Sequence, residues 1–421
     1  MCMDRRDFFK LSAGAAGIAL LSAETSVAGA KADLPEPIQK LKPMTDGIKP
    51  ITDDERRGRI EKAQRLMVEN GMGAIYIEPG TSFFYYTGMQ WRGGERMLAV
   101  VLPAKGEPAY VCPAFEEERA RELVKFGDDI RTWHEHESPY KRVAEIFKDR
   151  GITSGKVGFE ERTRFFLFDG IRKEAPGIEY VSADPVTIGC RVIKSANELA
   201  LMQRANDITL TAYKAVVASL WEGMTQYDFR EISTAAHSQL GVQGGIGANF
   251  AEASAFPHGS SKAQKLKEGD IVLMDGGCGV DGYRSDISRT VVFGTPTDRH
   301  REVWNLEKKA QTTALATAKP GVACEAVDAA ARKVISDGGF GPDYKYFTHR
   351  VGHGIGLDGH EWTYLVRGNK TPLRPGMCFS NEPGIYIYGE FGVRLEDCMY
   401  ITEDGAKHFT PQSHSIDEPF A

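Results

Sequence analysis

The sequence predicts an α/β (α+β) protein built from two domains. Three observations support this. A chain of 421 residues is long for one hydrophobic core and long enough for two. Its first half alternates helical and strand-like patterns. Its second half sets long helical patterns between strand-like runs and turn signals. The composition is that of a globular protein, with 26% charged and 42% hydrophobic residues, and the formal charge of −6 argues against a nucleic-acid partner.

The first thirty residues read as a separate segment. Asp4-Arg5-Arg6-Asp7-Phe8-Phe9-Lys10 precedes a short Ala/Gly/Leu run and then Ala28-Gly29-Ala30, which resembles a twin-arginine export signal with a small-residue cleavage site. The apolar stretch from Leu11 to Leu21 falls short of the roughly 20 residues a bilayer span needs. This reading implies a periplasmic protein with the twin-arginine translocase as a partner. Residues 31–52 then read as a linker, Pro-rich from Leu34 to Ile51. The cysteines, Cys2, Cys112, Cys190, Cys278, Cys324, Cys378 and Cys398, form no C-x-x-C pair, so free and mostly buried thiols are expected.

The N-terminal domain is expected over residues 53–184. Asp53 to Gly71 has amphipathic helical spacing, and Ala74 to Glu78 reads as a strand. Further strands are expected at Arg96–Leu102, Ala109–Cys112, Val157–Phe159 and Glu179–Val181, with helices at Phe115–Phe126, Pro139–Arg150 and Arg162–Glu174. A second domain is expected over 193–421. Its helices fall at Ser195–Leu220, Tyr227–Gly241 and Arg299–Ala318, and its strands at Ile271–Asp275, Ser288–Phe293, Met377–Asn381 and Met399–Thr402.

The chemistry-bearing residues cluster in the second domain. The apolar run Ile271-Val272-Leu273-Met274 delivers Asp275 into Gly276-Gly277, and Asp281-Gly282 turns the chain toward Ser285-Asp286. An aspartate at the end of a buried strand is costly unless it is paired, hydrogen-bonded or on a metal; a turn or capping role would suit either one alone. His353 and His360 stand seven residues apart among glycines, which allow close backbone approach, and the spacing is not the His-Glu-x-x-His of a zincin helix. Glu382 and Glu396 each sit at a strand-like run beside turn residues; singly, each could be a surface glutamate. Together, two Asp, one His and two Glu make a hard, oxygen-rich set suited to Mn²⁺, Co²⁺, Zn²⁺ or Fe²⁺ rather than to a thiolate site.

In order and local context, Asp275, Asp286, His353, Glu382 and Glu396 resemble the five metal ligands of the pita-bread metallopeptidases, which include aminopeptidase P, prolidase and methionine aminopeptidase. The resemblance runs from about Asp53 to Thr402. It implies a C-terminal pita-bread domain that holds two divalent ions, Mn²⁺ foremost, and hydrolyses a peptide bond with a metal-bridging hydroxide. It also implies that Asp286 and Glu396 bridge the ions, with Asp275 on one and His353 and Glu382 on the other, and that Glu382 accepts and passes on a proton. By the same resemblance His258, in Ala255-Phe256-Pro257-His258-Gly259, and His360 hold substrate and stabilise the tetrahedral intermediate, and Arg394 supports the carboxylates.

Thr81-Ser82-Phe83-Phe84-Tyr85-Tyr86-Thr87-Gly88 resembles part of the creatinase/prolidase N-terminal domain. That domain implies the proline-specific branch, acting on short proline-containing peptides as an Xaa-Pro aminopeptidase or dipeptidase. Several prolidases carry an arginine a few residues after the second histidine, where this chain has Tyr364, with Arg367 three residues on. The family also implies a homodimer, with Trp91 and the Tyr85–Tyr86 region either at the entrance to a neighbour's site or packed in the core. Two other readings remain at this stage. One is a same-fold enzyme on a small non-peptide, creatinase-like or dimethylsulfoniopropionate lyase-like; the other is a non-catalytic peptide-binding protein. Creatinases lack the metal ligands, whereas all five positions are filled here.

Overall fold

The computed structural model describes residues 34–420; the leader-like segment lies outside them. After a short turn of helix α1 (Glu36–Gln39) comes α2 (Asp53–Glu69). The α2 N-terminus is set by Thr52, whose hydroxyl accepts from the Glu55 amide while the Glu55 carboxylate accepts from the Thr52 amide, a reciprocal cap that satisfies two otherwise orphaned donors. Ile60, Ala63 and Met67 line its buried face. The chain continues through β1 (Met72–Ile77), α3 (Thr81–Thr87), β2 (Ala99–Pro103), β3 (Ala109–Pro113), α4 (Glu117–Leu123), β4 (Asp129–Trp133), α5 (Pro139–Asp149), β5 (Gly155–Phe159), α6 (Phe165–Glu174), β6 (Ile178–Ser182) and α7 (Asp184–Arg191).

The six strands form one mixed sheet in the order β4-β3-β2-β1-β5-β6. Its core gathers Tyr76, Val101, Val111, Val157, Phe147 and Ile171. Most predicted elements are present with shifted ends: the strand expected from Arg96 begins at Ala99, and the helix expected from Phe115 begins at Glu117 after a 3-10 turn over Ala114–Glu116. The aromatic run at Thr81 is a helix, α3, and Tyr85 and Tyr86 are buried in it. The Tyr85 hydroxyl donates to the Cys190 carbonyl, 3.1 Å away. These two tyrosines are therefore core residues and not lining of an entrance.

The second half begins with α8 (Ala196–Val217) and α9 (Gln226–Gln239), capped by Ser195 and Thr225 in the same reciprocal manner as α2. These helices pack on the antiparallel pair β7 (Gly244–Phe250) and β8 (Ile271–Val280). Then follow β9 (Tyr283–Arg284), β10 (Ile287–Val292), α10 (Asp298–Thr317), α11 (Cys324–Ile335), β11 (Gly352–Gly354), β12 (Glu361–Leu365), β13 (Cys378–Asn381), β14 (Gly384–Tyr386), β15 (Gly392–Arg394), β16 (Asp397–Ile401) and β17 (Ala406–His408). One sheet runs β10-β8-β7 with β9 on β8; a second runs β12-β11-β13-β16-β17; β14 and β15 form a separate pair.

The strand expected to end at Asp275 runs on to Val280, because Gly276 and Gly277 pair with β7. A Cβ on Gly276 would meet the Gly245 carbonyl oxygen at 2.2 Å, so only glycine lets the two backbones approach this closely. Among the described residues all six cysteines are free and buried.

A buried bridge joins the two halves of the molecule. Arg59 of α2 reaches Glu198 Oε1 at 3.1 Å and the Tyr283 hydroxyl at 2.8 Å.

Candidate metal centre

Two pieces of chain that do not share a continuous ladder form the floor of the site. On the first, β10 pairs antiparallel to β8 and sets Ser288 opposite Asp275. Asp286 immediately precedes β10 and joins Asp275 in the lining of the cavity above. On the second, an isolated bridge couples Ser288 to Glu396, in the link between β15 and β16. The Ser288 hydroxyl lies 3.0 Å from Asp275 Oδ1 and 2.7 Å from Glu396 Oε2, and it accepts from Arg394 Nε at 2.9 Å. Its single proton can serve only one of the two carboxylates at a time.

His353 is the middle residue of β11, between Gly352 and Gly354. A Cβ on Gly352 would sit 2.1 Å from the Ser380 carbonyl oxygen, so the glycine permits the close packing of β11 on the β13 segment. The His353 amide donates to Ser380 Oγ at 2.9 Å. Its Nδ1 faces the Gly354 carbonyl at 3.0 Å. A carbonyl can only accept, so Nδ1 carries a proton, and Nε2 is the ring nitrogen turned toward the carboxylates. That Nε2 lies 3.2 Å from Glu382 Oε1 and 3.8 Å from Asp286 Oδ2.

Four carboxylates, Asp275, Asp286, Glu382 and Glu396, thus converge with one guanidinium. Arg394 reaches Asp275 Oδ2 at 2.9 Å and also donates to the Pro257 carbonyl and the Tyr386 hydroxyl. Burial and then the neighbouring Asp275 charge push the Asp286 carboxyl up to about 7. Burial and then Asp286 push Glu396 well above the usual carboxylate range. Burial would raise Glu382 as well, but its hydrogen bond to His353 and the charge there hold it down at about 2. One oxygen of buried Glu396, Oε1, has no hydrogen-bond partner among the described residues. Donor atoms of Asp286, His353 and Glu396 all lie within 4.8 Å of one another. Crowded carboxylates, a buried unpartnered oxygen and an imidazole nitrogen turned toward them together fit divalent cations bound by oxygen and nitrogen.

A cavity of about 480 Å³ opens over this floor, and its lining includes all five predicted ligands together with His258, His360 and Arg394. The His360 ring stacks on His353, centroids 3.7 Å apart. Arg350 Nη2 lies 3.2 Å from His360 Nδ1. Because a guanidinium only donates, Nδ1 accepts and Nε2 carries the His360 proton. Burial and then His353 depress the basicity of His360, so it is a neutral donor.

Sequence reasoning missed four residues here. His349 donates from Nδ1 to the Arg350 carbonyl at 2.8 Å and accepts from the Tyr386 hydroxyl at 2.8 Å. Tyr386 in turn accepts from Arg394. Ser288 and Arg350 complete the set. Only Ser288 carried a usable signal, its place two residues after Asp286.

Comparison with known proteins follows the same lines. Residues 200–403 match the model of metallopeptidase family M24, and residues 59–193 match that of the creatinase/prolidase N-terminal domain. The chain is 32% identical over 366 residues to the Xaa-Pro dipeptidase of Lactobacillus delbrueckii subsp. lactis, a match covering 85% of this chain and 98% of that one. It is 30% identical over 369 residues to the Xaa-Pro dipeptidase of Pyrococcus furiosus, covering 85% and 99%. A crystal structure of recombinant prolidase from Thermococcus sibiricus superposes with a TM-score of 0.78 at 30% identity, covering 85% of this chain and 97% of that one.

These relatives correct the expectation of a periplasmic enzyme. They are matched almost end to end while 15% of this chain stays outside the match, so the enzyme they share with it includes no counterpart of an export leader. The periplasmic localisation inferred from Arg5-Arg6 is withdrawn.

With the relatives matched over nearly their whole length and both family models in sequence, the chain belongs to metallopeptidase family M24, as a mixed α/β protein with a creatinase-type N-terminal domain and a C-terminal pita-bread domain.

Proposed function

We propose that this protein is an Xaa-Pro peptidase that hydrolyses the bond between an N-terminal residue and proline. In this reading residues 193–421 are the catalytic domain and 53–184 the N-terminal domain. Asp275, Asp286, His353, Glu382 and Glu396 hold two divalent ions, Mn²⁺ foremost. The observation that carries the reading is the convergence of Asp286, His353 and Glu396 donor atoms within 4.8 Å beneath a substrate-sized cavity. The names of the relatives, both Xaa-Pro dipeptidases, support proline specificity.

When bound, such ions polarise the scissile carbonyl and acidify water toward a pKa of about 7, which supplies the nucleophile. The chain's own residues supply the rest. Glu382 is ionised, and its carboxylate accepts the proton released by attacking water and passes it to the departing proline nitrogen. The leaving nitrogen needs that proton because breaking the C–N bond without it would expel an amide anion. His360, neutral with its proton on Nε2, donates to the developing oxyanion, and His258 on the cavity wall holds substrate. Arg394, saturated by Asp275, Ser288, Pro257 and Tyr386, keeps the carboxylates in place.

The test is hydrolysis of Ala-Pro and Ala-Pro-Ala by metal-stripped protein with and without Mn²⁺. Metal-dependent cleavage before proline is the expected result. No cleavage of either peptide with metal bound would overturn the reading and move a non-peptide substrate to the front.

A further inference from the structure

We propose that Arg350 recognises the free C-terminal carboxylate of an Xaa-Pro dipeptide, which makes the enzyme a dipeptidase by construction; the proposal rests on the peptidase reading above. The cavity has two arginines in its lining, and they differ in what they have left to offer. Arg394 is saturated: Nε, Nη1 and Nη2 are all engaged by Ser288, Pro257, Tyr386 and Asp275. Arg350 is not. Its Cζ sits over the Tyr364 ring, 3.9 Å from the centroid, and it gives one N–H to His360 Nδ1. It has no carboxylate partner among the described residues.

A guanidinium carries five donors in a planar fork that matches a carboxylate. One held against an aromatic face is fixed in orientation before substrate arrives, so little side-chain entropy is lost on binding. Arg367, the other arginine near Tyr364 in sequence, cannot take this role. It pairs with Asp343 at 2.7 Å and lines a different cavity with Glu325, Asp328 and Arg332.

The cavity therefore sets its one unsaturated guanidinium apart from the residues that would hold the ions. Four carboxylates crowd its floor, while Arg350 and the neutral His360 stand together on its wall. A dipeptide held with its carbonyl over the floor can set its C-terminal carboxylate on Arg350. The volume of about 480 Å³ is within the range of sites for small ligands. Tyr364 thus has a function of its own as the platform for an arginine supplied by the segment before β11, and the His353–Tyr364 pairing of β11 with β12 brings that platform beneath Arg350.

The experiment compares Ala-Pro with its carboxamide, Ala-Pro-NH₂, on the Mn²⁺-loaded full chain and on Arg350→Met and Arg350→Lys. The wild type is expected to prefer Ala-Pro. Arg350→Met is expected to raise KM for Ala-Pro by roughly 10- to 100-fold, the loss of a charge-assisted hydrogen bond, while Ala-Pro-NH₂, which has no carboxylate to lose, is affected only through the Arg350–His360 contact and loses far less; metal content measured on the same sample reports an intact site. Arg350→Lys is expected to recover part of the preference. Equal losses on both substrates, or an unaltered KM for Ala-Pro, would overturn the assignment. Wild-type protein that cleaves neither peptide would instead overturn the peptidase reading itself, before any variant is made.

Discussion

Nη2 of Arg394 lies 2.9 Å from Oδ2 of Asp275, and this ion pair is the only contact within ion-pair distance between a guanidinium and the four clustered carboxylates among the described residues. Removing it leaves like charges facing one another and frees the Tyr386 hydroxyl and the Pro257 carbonyl. Arg394→Met is expected to lower kcat/KM on Ala-Pro by about 10- to 100-fold, the usual effect of losing a partner that orients metal ligands. Steady-state kinetics with metal content measured on the same sample would check this, and full activity at full metal occupancy would show that Arg394 orients nothing.

Ser288 is the second support. Its hydroxyl meets Asp275, Glu396 and Arg394 at once, and no other hydroxyl among the described residues is bonded to both carboxylates. Ser288→Ala leaves the Arg394 Nε–H and a Glu396 oxygen unpartnered in a buried setting. Metal affinity is expected to weaken roughly tenfold, read by competition with a chelator of known affinity. The strand pairing that carries Asp275 is untouched, so the far-ultraviolet circular dichroism spectrum is expected to be unchanged.

The Asp275–Asp286 part of this site was legible in the sequence because it is local: an apolar run delivers the first carboxylate and a turn returns the second. His353 was legible because glycines flank it. The link from Ser288 to Glu396 was not, because a bridge across 108 residues leaves no periodic trace. Nor was the role of Tyr364, which depends on its register opposite His353. Strand β7, Gly-Gly-Ile-Gly-Ala-Asn-Phe, reads as turn by propensity and is a strand because β8 and β10 build a sheet in which it is the third member. Helix α11 shows the opposite case. Its buried Cys324, Val327, Asp328, Ala331, Arg332 and Ile335 follow helical spacing, a signal present in the sequence and passed over.

The closeness of β11 to the β13 segment makes Gly352 sensitive. Gly352→Ala would put a methyl group 2.1 Å from the Ser380 carbonyl oxygen, a backbone atom that can move only if the strands part. The expected cost is roughly 3 kcal/mol, at the upper end of overpacking effects. Urea unfolding should show a lower midpoint with an unchanged slope. Because His353 is the next residue, activity should fall even under conditions where the variant is fully folded.

Glu361 offers a test by pH. It is buried, its carboxylate bonds to Lys194 Nζ at 2.9 Å and to Arg191, and Arg191 also holds Asp358 at 2.8 Å. Burial alone would raise its carboxyl, but Lys194 and then Arg191 hold it down at about 2, against about 4.3 in an unfolded chain. A depressed carboxyl stabilises the fold above the unfolded value, and that stabilisation is lost as pH falls toward and through the folded one. Glu361→Gln breaks a buried pair and leaves Lys194 without it, so a loss of roughly 3 kcal/mol is expected at pH 7. The difference from wild type should be the same at pH 6 and pH 5 and should narrow only below about pH 4.3, where the unfolded glutamate begins to take up its proton. Urea unfolding of both proteins across that range would measure it. A gap that already closes between pH 7 and pH 5 would assign the stabilisation to another group.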